Sequence, residues 1–168
     1  TFRRLFSEGT FNAAFVPSYS SELARGKKKG QKFANEIFNL LLMSLLFVVL
    51  IVEIFMPGFV FIIAPGFHEN FDKLDLTITL TRFTFPFLLF VSLASFFSAI
   101  LNSHNKFAAA AAAPIILNIL LICILLFGNY LNDQLVFYLS YAVTFAGFVQ
   151  LIFLMFYVRK FYSLEFTF

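Results

Sequence analysis

A chain of 168 residues with 61% hydrophobic side chains, a mean hydropathy of +0.89 and only 12% charged residues is composed for lipid rather than for water. A soluble core of this size does not need runs as apolar as Leu40–Ile54 or Ile115–Phe127, so the soluble globular classes are excluded. The net charge of +3 is small, its placement matters more than its sum, and one cysteine, Cys123, excludes a disulfide framework within the chain.

The expected fold is all-α: a polytopic helical membrane protein with about five spanning helices. A spanning helix takes roughly 20 mostly apolar residues. The segments that meet this, in chain order, are 2–21, 37–55, 83–101, 109–127 and 135–157. The first is more polar than the rest, and the fourth opens on the low-complexity run Ala108–Ala113 and contains Pro114. The runs are continuously apolar instead of alternating, which argues against a barrel. Several long apolar runs in succession do not fit a cleaved signal peptide. The chain opens on Thr1 instead of Met, which reads as a piece of a longer protein. The 28 Phe and absent Trp read as compositional bias without function.

The connections set an orientation. Loop 22–36 carries Arg25, Lys27, Lys28, Lys29 and Lys32, loop 102–107 carries Lys106, and tail 158–168 carries Arg159 and Lys160. Five antiparallel crossings put these three on one side, and His68–Asp75 and Gly128–Gln134 on the other. The positive-inside rule makes the basic side cytoplasmic. The same cluster explained as a nucleic-acid patch is disfavoured between two spans, so contact with anionic membrane lipids is expected and nucleic acid is not. Two triplets, Pro57-Gly58-Phe59 and Pro65-Gly66-Phe67, are expected to end the second helix and return the chain.

The densest charge lies at the start. On a 3.6-residue period Phe2, Leu5, Phe6, Gly9, Ala13 and Val16 form an apolar and small face. Arg3, Ser7, Thr10 and Ala14 form a polar and small stripe, and Arg4 and Glu8, four apart, can pair beside it. Three readings stand side by side: a helix facing a watery cavity, an interfacial helix lying flat, and a structural ion pair. In a cavity, arginine's planar fork suits an anionic ligand, phosphate above all. Glu53 reads as an interfacial acid before a proton site, and Arg82 as an anchor at the outer headgroups. Asn39, Ser44, Asn118, Ser92, Ser95 and Ser98 are expected between spanning helices. Pro86 and Pro114 are candidate kinks. His68 and His104 fall on opposite sides, so no metal site is expected, and no cofactor is implied. Clustered acids, histidines or cysteines at one face, which an embedded enzyme needs, are absent from the sequence.

The run Arg3-Arg4-Leu5-Phe6-Ser7-Glu8-Gly9-Thr10-Phe11 with Ala14-Phe15-Val16-Pro17 resembles the signature of the MurJ (MviN) family of lipid II flippases in bacterial cell-wall synthesis. Ala64-Pro65-Gly66-Phe67, Thr84-Phe85-Pro86, Ser92-Leu93-Ala94-Ser95 and Ala99-Ile100-Leu101-Asn102 recur in the family in the same order. The resemblance implies a MATE-like fold of fourteen spanning helices in two lobes, of which this chain supplies helices two to six of the N-lobe. It implies lipid II as the transported partner, with Arg3 at the pyrophosphate and Arg4 and Glu8 at neighbouring positions. The other partner it implies is the remainder of the protein's own chain, a first helix and the C-lobe. Two departures, Ala13 where many members have Gln and the Ala108–Ala113 run, leave the arginines untouched. The expectation is therefore a flippase of the bacterial inner membrane, a transporter and not an enzyme. The alternatives are a MATE-like drug or polysaccharide-lipid exporter and a non-transporting membrane scaffold.

Overall fold

The computed structural model describes residues 10–67, 71–128 and 134–163, and among them there are helices and turns but no strand. Helix α1 spans Thr10–Ala24, α2 Lys27–Ile54, α3 Met56–Ile63, α4 Phe71–Thr84, α5 Phe87–Ser103, α6 Phe107–Leu126 and α7 Leu135–Val158. Four stretches among the described residues are long and apolar enough to cross a membrane: α2, α4 with α5, α6, and α7. The first expected span, 2–21, is described only from Thr10.

Helices outrun the apolar segments that betray them. The expected loop 22–36 shrinks to Arg25 and Gly26, with Lys27 already inside α2. Gly26 takes φ 141, a conformation side chains resist, and so lets α1 fold straight back into α2. At 28 residues α2 is about 42 Å long, well beyond the roughly 30 Å hydrocarbon layer, so its lysine-rich start is helix without being span. The span expected at 83–101 likewise begins upstream, at Phe71, and is interrupted at Phe85 and Pro86. Pro57 opens α3 as one of its first residues instead of simply ending the second helix, because a missing N–H costs nothing in a first turn. The expected loop 102–107 is the turn His104–Lys106, and α6 starts at Phe107.

That turn is fixed locally. Asn105 takes φ 58, the Lys106 amide donates to the Leu101 carbonyl at 2.8 Å, and the Asn105 amide to Asn102 at 3.0 Å. This is the Schellman pattern that satisfies the last carbonyls of a helix. Pro86 leaves a gap of the opposite kind in the α4–α5 ladder, and the Thr144 hydroxyl of α7 donates to the Phe83 carbonyl beside it. Threonine hydroxyls commonly re-satisfy backbone freed by proline inside membranes.

The packing centres on α5. It lies along α7, which α6 flanks on another side, while α1 sits between α2 and α5. Phe96, Phe97, Ile100, Leu101 and Leu154 are fully enclosed there with Tyr19. Close approach is paid for in small residues. A Cβ on Gly147 of α7 would come within 2.6 Å of the Phe87 ring, and one on Gly30 within 3.0 Å of the Leu23 Cα. Leu40, Phe47 and Ile54 of α2, with Ile115, Ile122 and Leu126 of α6, remain exposed. Apolar surface on this scale needs a lipid or protein cover.

Candidate functional site

Helix α1 has two unlike faces. Phe11, Phe15 and Tyr19, four apart, stack at centroid distances of 5.3 and 5.4 Å. Phe15 also meets Phe96 of α5 at 5.2 Å and Phe33 of α2 at 6.0 Å. This aromatic column buries one side of α1 and sets its rotation. Ala13, Ala14, Pro17 and Ser18 on the other side are small and exposed. Pro17 has no N–H to give the Ala13 carbonyl, and Ser18 turns its hydroxyl back to the Ala14 carbonyl at 3.0 Å. The exposed side is thus a smooth stripe with a carbonyl that its own helix cannot satisfy.

The residues expected at the site, Arg3, Arg4 and Glu8, lie outside the described residues, as does His68. Ala14, the last member of the Arg3 stripe, is on the open face. Glu53 is partly enclosed near the end of α2, where the positive charge of Arg82 acts on it without a direct ion pair. No cluster of three metal-ligand side chains occurs among the described residues.

At one end of the bundle a clasp forms that sequence reasoning missed. The Tyr162 hydroxyl, just past α7, donates to buried Asn35 Oδ1 of α2. Gln31 Nε2 donates to the Ser163 carbonyl at 3.1 Å. Tyr19 of α1 is hydrogen-bonded to His104 Nε2 at 3.2 Å, and the His104 ring stacks on Phe161 at 4.8 Å. Burial, and then the charge of Lys27, hold His104 below the usual histidine range. The clasp joins the ends of α1, α5 and α7 to the start of α2. It thereby gathers Arg25, the lysines of α2, Lys106, Arg159 and Lys160 at the same end. The expected interhelical polar set fared unevenly. Ser44 bonds its own helix at the Leu41 carbonyl, 3.0 Å away, and Asn118 is exposed, whereas Asn35, Ser140 and Gln150 are the buried polar side chains among the described residues.

An exposed small stripe beside a buried aromatic column gives a physical division to the segment that carried the resemblance. The family described as "Lipid II flippase MurJ" matches residues 1–167. The chain belongs to the MurJ family. It is 39% identical over 160 residues to the probable lipid II flippase MurJ of Rickettsia prowazekii, covering 95% of this chain and 31% of that protein. It is 44% identical over 155 residues to that of Rhizobium tropici, covering 89% and 29%. With the lipid II flippase MurJ of Burkholderia cenocepacia it shares 32% over 149 residues, 88% and 29%. The chain thus spans about three tenths of the length of these MurJ relatives. Family and apolar helices together make it part of an all-α, multi-pass membrane protein.

Proposed function

We propose that this chain is part of the N-lobe of a lipid II flippase of the bacterial inner membrane, and that it presents Arg3 to the pyrophosphate of the lipid-linked precursor. The observation that carries the reading is the MurJ match over residues 1–167, with relatives named as lipid II flippases. A second observation supports the site. Ala14, the last member of the stripe read from sequence through Arg3, Ser7 and Thr10, lies on the face of α1 that the described helices leave open. Small side chains along that face let a bulky headgroup approach, and an arginine fork at its far end offers paired donors to phosphate oxygens. By the helical period of the sequence, Arg4 and Glu8 fall on the neighbouring stripe, where a carboxylate four residues on can pair with the arginine.

In this reading the headgroup crosses a cavity between two lobes while its lipid tail stays in the bilayer. Rocking of the lobes exposes the site to each side in turn. Membrane potential contributes, because moving charge across it has a free-energy cost or gain of about 2.3 kcal/mol per charge per 100 mV. No covalent step is required, so the role is transport and not catalysis. A drug exporter would depend on intramembrane acids, and a scaffold on none of these charges.

The test uses the complete polypeptide that carries this chain. Arg3→Ala and Arg3→Lys are both expected to abolish support of growth in cells lacking their own flippase, at unchanged protein level. Lysine keeps the charge and loses the bidentate fork, so its failure assigns the fork. Normal growth with Arg3→Ala removes Arg3 from the site, and normal growth with Arg3 and Arg4 both neutralised favours a scaffold.

A further inference from the structure

We propose that the groove between the end of α5, the start of α6 and the end of α7 binds an anionic phospholipid, with Lys106 and Lys160 holding the phosphate and an acyl chain lying between the helices. The groove encloses about 340 Å³. Its wall is apolar, from Leu101, Ala108, Ala109, Tyr157 and Phe161, and its charged members are the two lysines. Neither lysine makes an ion pair among the described residues, and the acids that do pair, Glu22 and Glu36, are taken by Arg25 and Lys32. Among the described residues the pocket is therefore cationic at the mouth, with no acid on it, and greasy inside, the complement of a phosphate on a hydrocarbon chain.

Two local features build it. The Schellman turn through Asn105 brings Lys106 back over the end of α5. The alanine run then puts Ala108 and Ala109 on the groove wall, where larger side chains would fill the space. This gives the low-complexity segment a role that transport itself does not require. Lysines beside spanning helices on a basic face are the usual seat of anionic headgroups. The groove shares no lining residue with α1, so the proposal stands apart from the flipping site.

The proposal is tested on the complete polypeptide, delipidated in detergent and titrated with phosphatidylglycerol or phosphatidylcholine while bound lipid is counted by native mass spectrometry. Wild type is expected to bind phosphatidylglycerol about twenty-five-fold more tightly, at about fivefold for each lysine, and Lys106→Gln with Lys160→Gln to lose that preference. Both lysines are exposed, so the variant keeps its fold. Ala108→Phe fills the groove with both charges in place and is expected to remove the tightest-bound lipid. Equal affinity for the two lipids, an unchanged preference in the double variant, or wild-type binding by Ala108→Phe each overturns the proposal. The last outcome would mean diffuse attraction to a basic face. None of these readouts depends on flipping.

Discussion

At the residue scale the clasp concentrates the consequences of single substitutions. Tyr162→Phe keeps the ring among Phe96 and Phe97 but leaves buried Asn35 Oδ1 without the hydroxyl that donates to it. A buried acceptor left short costs about 1–3 kcal/mol. The expected outcome is a lower unfolding midpoint in detergent for Tyr162→Phe and for Asn35→Ala, with the double variant no worse than the worse single one. His104 responds to pH. Its folded-state value is lowered by burial and by Lys27, so below the ordinary histidine value of about 6.5 the unfolded chain binds a proton that the folded chain resists. Stability is complete above that value and is lost as pH falls from it toward the lowered one. In the tautomer whose Nε2 accepts from Tyr19, protonation also removes that acceptor. Thermal midpoints measured from about pH 8 to about pH 5 should fall for wild type and fall less for His104→Phe. The clasp was not legible in the sequence. Asn35 and Tyr162 are 127 positions apart, and neither sits in a pattern that marks it. The aromatic column was missed too, because the apolar face read from sequence ran through Ala13 and Val16, whereas Ala13 is exposed and Phe15 and Tyr19 are buried.

At the scale of elements, hydropathy located the spans and misjudged their ends. It reports where lipid touches the chain, while a helix ends where its backbone is capped or broken. Lysine is a good helix former, so Lys27–Lys32 extends α2 without adding hydropathy. Asn105 and Gly26, with positive φ, set the real boundaries. Pro86 was legible as a candidate kink, yet the partner that makes it tolerable was not. Thr144→Val should expose the importance of that partner, since it preserves shape and removes the donor to Phe83. A loss of about 1 kcal/mol is expected, with faster amide exchange around residues 81–88 than elsewhere. Gly147→Ala acts on the neighbouring contact of α7 with α5 by overpacking, with Phe87 in the way, and is expected to cost about 1–3 kcal/mol in the same unfolding assay.

At the scale of the whole molecule, charge and fold converge on one axis. The fold brings the start of α2 and the ends of α1, α5 and α7 together by specific bonds, and that end carries the lysines and arginines of three separate connections. The far end carries Asp72 and Asp75 at the start of α4. The sequence made this asymmetry visible because each connection is short, and short loops are the ones the positive-inside rule counts. Contact between the connections is a tertiary property and had to come from the structure. The orientation itself is testable with single cysteines. In a cysteine-free background of the complete polypeptide, Cys123→Ala included, a membrane-impermeant maleimide added to intact cells should label Asp72→Cys and spare Lys28→Cys and Lys160→Cys until the membrane is opened. Cys123 is exposed on α6, so its removal disturbs no core. Labelling of Lys28→Cys and Lys160→Cys from outside would invert the axis and place the phospholipid groove in the outer leaflet. Labelling of only one of the two would contradict the fold instead, because Gln31 and Ser163 bind each other across that end.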